Sequence, residues 1–389
     1  MRPVRRWPVL VIAFAGVLGV IIAVALDVGD DSPVTTSTTQ APVMPMVWTN
    51  PVLPDDFPDP FVVRDGDGYV AVATNASGRR VQVSTSPDLA DWSMPGEALS
   101  SMPRWASTRI DLVWAPSIIR LDDRWMMYAT FQEASSERQC IGAASATVPS
   151  GPYSPLGEQP LVCPVAAGGA IDPEVVLHGD SPTLLWKVDG NCCGKPSVIR
   201  SQQLSTDGTA LEGAATDLIR LDQPWERGPT APQSTVEGPS MTRIGGRWVL
   251  LYSAGGYAGG GYSMGYAVCD SPAGPCTKPS SAPLLASGVG LSGPGGGSFF
   301  DDDDGRTWIA YHAWDPAAVG YESGGRRSMR IDPVLLIGDR LVVLGPSIVP
   351  MELPPEGRVP VAVSTTMPPS TMPPTTMPPS TTVKAPRPR

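Results

Sequence analysis

Residues 59–74 read DPFVVRDGDGYVAVAT, and the same design returns four times: APSIIRLDDRWMMYAT at 115–130, DPEVVLHGDSPTLLWK at 172–187, GPSMTRIGGRWVLLYS at 238–253 and GGSFFDDDDGRTWIAYH at 296–312. Each copy opens on a small or acidic residue, followed by Pro in four of the five. A short apolar run comes next, then a Gly/Asp turn, then a second run rich in aromatic and β-branched residues, which is the pattern of a hairpin. The starting residues Asp59, Ala115, Asp172, Gly238 and Gly296 lie 56, 57, 66 and 58 residues apart. A unit of that length, with two strong strands and room for two more, fits a four-stranded propeller blade. Five such units fill residues 47–353. The expected fold is all-β, a five-bladed β-propeller, with a two-sheet sandwich as the alternative. No sustained 3.6-residue apolar period follows Leu26, which excludes a helical fold, and the 41 Gly and 45 Pro suit a turn-rich chain.

In a propeller the innermost strand of each blade lines the central channel, so the five starting residues surround one mouth of it. Blade one brings Asp59 there, blade three Asp172, and blade four Glu237, one residue before Gly238. Blade two brings Trp114, before Ala115. Three carboxyl groups and an indole are thus expected in one pocket. Like charges gathered in a cleft raise the pKa of at least one of them, as catalytic acids require. The plainer alternative is that each acid only caps backbone N–H groups at a strand end.

Read in order, Asn50-Pro-Val-Leu-Pro-Asp-Asp-Phe-Pro-Asp59-Pro60, Trp114-Ala-Pro-Ser117, Ala170-Ile-Asp172-Pro173 and Val236-Glu237-Gly-Pro239 resemble the motifs of glycoside hydrolase family 43, and Ser86-Pro-Asp-Leu-Ala-Asp-Trp92 resembles its blade-one pattern. The resemblance covers about residues 48–345. It implies a five-bladed propeller that cleaves arabinose- or xylose-containing polysaccharides with inversion. It also implies roles: Asp59 as the general base that activates water, Glu237 as the general acid, and Asp172 as the carboxylate that tunes and orients that acid. Inversion needs the acid and the base on opposite faces of the sugar, ~6.5–9.5 Å apart, to admit a water. Repulsion from Asp172 is expected to keep the acid protonated near neutral pH, and Trp114 offers an apolar face for a sugar ring. The rival reading is a sugar-binding surface propeller without catalysis.

Arabinan-cleaving members of that family carry a His in a Gly-Pro-Gly-His motif near a bound cation, and Gly296 stands at that place here. That departure argues against a channel metal and against endo-arabinanase activity. His312 reads as a packed or substrate-adjacent residue. The run Asp301–Asp304 invites a calcium reading but suits a solvated hairpin turn before Gly305, so no cofactor is expected. Arg330 is a candidate to bond a substrate hydroxyl or carboxylate, and a surface salt bridge is its equal alternative. Asn75-Ala-Ser77 is a formal N-glycosylation acceptor, and the Gly255–Gly261 run with Tyr257 and Tyr262 reads as a mobile loop beside blade four.

The ends differ from the middle. Three Arg precede an uncharged stretch, Trp7 to Leu26, whose apolar run of 19 residues from Pro8 spans ~28 Å as a helix. Residues 1–29 therefore read as a signal-anchor, with a cleaved signal peptide as the alternative. The basic flank keeps the N-terminus in the cytoplasm and exports the rest. Residues 30–46 are a Thr/Pro linker. Residues 354–389 form a tail that from Ser364 to Thr382 uses only Ser, Thr, Pro and Met, a composition that cannot bury a core. Of the net charge of −10, the three Arg and three Asp of residues 1–46 cancel and the tail adds three cations, leaving −13 on residues 47–363. Such a surface repels phosphate backbones and argues against nucleic acid. The partners expected are plant or cell-wall glycans and, through the N-terminal helix, the membrane, for a monomeric domain outside the cytoplasm. Six Cys in an exported chain suggest disulfides: Cys140 with Cys163, Cys269 with Cys276, and for the adjacent Cys192 and Cys193 either a vicinal bridge or two free thiols.

Overall fold

The computed structural model describes residues 46–228 and 234–352 and the backbone of residues 361–362. The apolar N-terminal segment, the linker as far as residue 45 and the tail from Ser364 lie outside the described residues. Among the described residues no helix is long and apolar enough to cross a membrane.

Five four-stranded antiparallel sheets follow one another along the chain, each with its strands in sequence order. Blade one holds β2 (Phe61–Asp65), β3 (Gly68–Ala73), β4 (Gln82–Ser86) and β5 (Gly96–Glu97), after a short outer strand β1 (Val47–Trp48). Blade two holds β6 (Val113–Leu121), β7 (Arg124–Gln132), β8 (Gln139–Ala146) and β9 (Ser154–Leu156). Blade three is β10 (Ala170–His178), β11 (Ser181–Val188), β12 (Val198–Leu204) and β13 (Leu211–Arg220). Blade four is β14 (Val236–Ile244), β15 (Arg247–Ala254), β16 (Ser263–Cys269) and β17 (Cys276–Thr277). Blade five is β18 (Ser292–Asp301), β19 (Thr307–Trp314), β20 (Ser328–Ile337) and β21 (Arg340–Val343). The first strands touch in a closed ring, β2 to β6 to β10 to β14 to β18 and back to β2, which makes the assembly a five-bladed propeller.

Side chains on a strand alternate between two faces, and here both faces of every blade are covered, so the second strands read as almost unbroken apolar runs. On β3, Val70 and Val72 enter the core shared with blade two, while Tyr69, Ala71 and Ala73 enter the core shared with blade five. On β19, Trp308 and Ala310 face blade one, while Ile309, Tyr311 and Ala313 face blade four. Strands β7, β11 and β15 divide their residues in the same way, giving one apolar core between each pair of neighbouring blades. A slip of one residue in any second strand would exchange the contents of two cores.

The ring closes without a strand shared between first and last blades. Asn50, ahead of blade one, donates to Ile331 O at 2.9 Å, and its Oδ1 accepts Ile331 N–H at 2.9 Å. Strand β1 pairs instead with β22 (Met351–Glu352), and β22 with β23 (Val361–Ala362). The tail expected from residue 354 therefore includes one short strand, paired along β22. All six Cys are paired, Cys140–Cys163, Cys269–Cys276 and the adjacent Cys192–Cys193.

Candidate active site

The residue that opens each repeat has left-handed backbone: φ is 54° at Asp59, 41° at Ala115, 57° at Asp172, 57° at Gly238 and 55° at Gly296. In blades two to five the ladder slips at that point, between Trp114 and Ser117, Ile171 and Glu174, Glu237 and Ser240, and Gly295 and Ser298. Such bulges re-aim side chains, and here they turn the residues at and just before the left-handed position towards the channel mouth.

The bulges also free an N–H group that the ladder no longer uses, and the neighbouring blade supplies its acceptor. Ala115 N–H bonds Thr74 Oγ1 at 2.8 Å, Asp172 N–H bonds Thr130 Oγ1 at 3.2 Å, and Gly296 N–H bonds Ser253 Oγ at 2.9 Å. Asp59 N–H bonds His312 Nδ1 at 3.0 Å, which carries the pattern across the seam between blades five and one. His312 is therefore neutral, with its proton on Nε2. Burial first, and then the charge of Arg327, holds its pKa well below the usual value. The 3.4 Å approach of Asp59 Oδ1 to the same Nδ1 is accordingly not an ion pair.

Above this ring lies a cavity of about 680 Å³ walled by residues of all five blades. Asp59, Asp172, Glu237 and Trp114 line it together. Asp59 Oδ2 accepts the Thr74 hydroxyl at 2.6 Å and lies 3.8 Å from Arg327 Nη1. Asp172 Oδ2 accepts Gly238 N–H at 2.9 Å, so it holds the peptide that follows Glu237. Glu237 Oε2 meets Lys187 Nζ at 2.7 Å, and the same ammonium meets Asp189 Oδ1 at 3.1 Å. Burial, and after it the nearby Glu237 charge, raises the Asp172 carboxyl well above the usual carboxylate range. A raised carboxyl among the gathered acids is what the sequence leads one to expect, and Asp172 is such a group.

Two other expected site residues lie elsewhere. His312 is fully buried behind Asp59 and stacks on Tyr262, with ring centroids 5.8 Å apart. Arg330 does not reach the cavity. On β20 it pairs opposite Tyr311, which faces the core between blades four and five, and it is only 3% exposed, so it is not a surface ion-pair partner either. The arginine that does line the cavity is Arg327, just before that strand. Its guanidinium lies 4.9 Å from the Tyr257 ring and 5.6 Å from the Tyr321 ring, and its Nε donates to Tyr321 Oη at 2.9 Å. Lys187, Asp189, Asn191, Tyr321 and Arg327 were not singled out by sequence reasoning, yet all line the cavity. The Asn75-Ala-Ser77 triplet also lines the cavity, and the Gly255–Gly261 loop contributes Gly255 to Ala258.

Among the described residues no cluster of three or more His, Cys, Asp or Glu is arranged to hold a metal ion. In the Asp301–Asp304 turn, Asp302 Oδ1 accepts the N–H groups of Asp304 and Arg306, and Arg306 pairs with both Asp302 and Asp304. A side chain at Gly296 has no room, since a Cβ there would lie 2.3 Å from Asp59 Oδ1 and 2.7 Å from two atoms of the His312 ring.

Below the mouth, Glu174 lines the narrow channel, 6% exposed, with Oε1 accepting Met241 N–H at 2.8 Å. Burial pushes its carboxyl up to about 8. A carboxyl raised in the folded state contributes stability that is full below its unfolded value and is lost as pH rises through its folded value. Stability is therefore expected to decline between about pH 4.5 and pH 8 on account of this residue. Glu174→Gln keeps the acceptor and removes the titration. Thermal denaturation at pH 6 and pH 9 should show the difference in Tm narrowing by about 2–4 °C in the variant, and an unchanged difference would contradict this account.

The sequence model of glycosyl hydrolases family 43 matches residues 48–337. A β-D-galactofuranosidase of Aspergillus niger is 26% identical over 294 residues, 72% of this chain and 78% of its own. Among solved structures, a thermostable family-43 glycoside hydrolase superposes with a TM-score of 0.69 at 30% identity, covering 78% of this chain and 97% of that one. An endo-1,4-β-xylanase from Bacteroides thetaiotaomicron superposes with a TM-score of 0.61 at 27% identity, covering 75% and 95%.

Proposed function

The chain belongs to glycosyl hydrolases family 43, and on that footing we propose that it hydrolyses furanosyl or xylosyl linkages in plant or cell-wall glycans with inversion at the anomeric carbon. One observation carries the reading: Asp59, Asp172 and Glu237, each at or just before the left-handed residue that opens its repeat, line a single cavity. In the proposed reaction Asp59 takes a proton from a water, which attacks the anomeric carbon, while Glu237 protonates the departing oxygen from the opposite face. Thr74 and Arg327 hold the Asp59 carboxylate in place for this. Asp172 steadies the backbone of Glu237 through Gly238 N–H.

Walls from all five blades favour a pocket that takes a terminal sugar, hence exo action. Trp114 and the Tyr257 and Tyr321 rings offer apolar faces to it, while Arg327 offers hydrogen-bond donors to its hydroxyl groups. Arabinofuranosides come first as substrates. The Aspergillus niger relative adds β-D-galactofuranosides, and the Bacteroides thetaiotaomicron neighbour keeps xylosides in view. Three disulfides favour work outside the cytoplasm.

The test is sugar release from aryl α-L-arabinofuranoside, β-D-galactofuranoside and β-D-xyloside and from linear arabinan, with Asp59→Asn as the blank. Release of one sugar above the blank supports the reading and names the substrate. A folded protein that binds these glycans and releases none of them would instead be a carbohydrate-binding propeller.

A further inference from the structure

Four of the five inter-blade acceptors at the channel mouth are Thr74, Thr130, Ser253 and His312, each able to receive the N–H of the next blade. The fifth position in the repeat is Lys187, which can only donate. Two things follow from that one exchange. Gly238 N–H turns to Asp172 for its acceptor, and an ammonium that is 1% exposed is brought against Glu237 and Asp189 at 2.7 and 3.1 Å. A lysine in this position is an electrostatic element, because a Thr or Ser would satisfy the backbone better.

The groups that face Lys187 and Glu237 are Asp189 beyond β11, Asp172 on β10, Asp59 ahead of β2 and Tyr262 ahead of β16. Arg327 and Asp56 lie further along the same wall, near Asp59, and His312 behind it is neutral. Among the described residues Lys187 is thus the cation in contact with the blade-four acid. Burial opposes its charge, but Glu237, Asp189 and Asp172 outweigh burial and keep it an ammonium.

Resting on the reading of Glu237 as proton donor, we propose that Lys187 is a positioning residue: it fixes the Glu237 carboxyl and sets the pH at which the Asp172–Glu237 pair gives up the proton used in the reaction. Proton donation leaves a carboxylate on Glu237, and an ammonium beside it stabilises that product charge. Asp172 makes the pair hold its proton and Lys187 makes the pair release it, so the two act in opposite directions on one group. Asp189 shares the ammonium and moderates its pull.

The test is the pH dependence of kcat/KM. Lys187→Met keeps the volume and removes the charge, so the pair holds its proton longer and the alkaline limb should move up by about 1–3 pH units. Its kcat should fall more for an alkyl glycoside than for an aryl glycoside with a good leaving group, which needs little protonation. Lys187→Arg should leave the limb near its wild-type position. Asp189→Asn concentrates the ammonium on Glu237 and should move the limb down by less than about 1 unit. If Lys187→Met does not fold, Asp189→Asn decides: a downward shift supports the proposal and an unmoved limb overturns it. Wild-type hydrolysis that Glu237→Gln abolishes, combined with an unmoved limb in folded Lys187→Met, overturns the role of Lys187 and leaves the assignment of Glu237 standing.

Discussion

Glu237→Gln should lower kcat/KM for an alkyl furanoside by about 10²–10⁴-fold, the range that a positioned proton donor contributes, while the affinity for sugar changes only a few-fold. The amide occupies the same volume and still has an oxygen for Lys187 Nζ, which lies 2.7 Å from Oε2 in the native protein. It has no proton to give to the departing oxygen. The loss should therefore be smaller for an aryl glycoside whose leaving group departs without help, and the alkaline limb of the pH profile should disappear. Steady-state kinetics on the two substrate types, with binding measured by calorimetry, checks both points. Equal losses on alkyl and aryl substrates would remove Glu237 from the acid's role.

Gly296→Ala should cost about 10²-fold in kcat/KM, although residue 296 carries no side chain of its own. Its backbone is left-handed at φ 55°, and the added Cβ would lie 2.3 Å from Asp59 Oδ1. Nothing nearby can yield. Asp59 is held by the Thr74 hydroxyl and by its own N–H on His312, and His312 is fully buried against Tyr262. The carboxylate must then shift, and misplacing a catalytic group by about 1 Å is enough for a loss of that size. Gly305→Ala is the control: it is also left-handed, at φ 74°, but has open space around it. It should cost about 1–2 kcal/mol of stability and no activity. Matching activities for the two variants would show that the Asp59 carboxylate tolerates displacement.

The same geometry explains a departure visible in the sequence. The resemblance to family 43 implies a His in arabinan-cleaving members where this chain has Gly296, and here the space beside Asp59 is filled by the ring of His312 from the adjacent strand. The sequence showed the glycine and the histidine separately. Their packing against one another depends on the register of β18 with β19, where Gly295 pairs with His312.

The blades were legible because their second strands are apolar on both faces, which makes five similar runs stand out at a regular period. The three acids were legible because symmetry places equivalent residues at one mouth. Lys187 was within reach of the same reasoning: it ends the third repeat where the others end in Thr74, Thr130, Ser253 and His312, and its departure from hydroxyl or imidazole was the available signal. Arg327 and Arg330 show where such reasoning stops. Three residues apart, they are separated by the point at which β20 begins, and strand parity then sends Arg330 to the core face opposite Tyr311. Tyr257 and Tyr321 come from connections outside the repeated hairpins, so no periodicity marks them.

The most direct test of the whole account is the configuration of the first product. Proton NMR would follow wild-type hydrolysis of whichever aryl glycoside is cleaved, with spectra taken before mutarotation and Asp59→Asn run alongside. With Asp59 as base and Glu237 as acid on opposite faces of the sugar, the first sugar released should have the anomeric configuration opposite to the substrate's, and Asp59→Asn should release almost none. A first product that retains the substrate's configuration would contradict the roles given to Asp59 and Glu237.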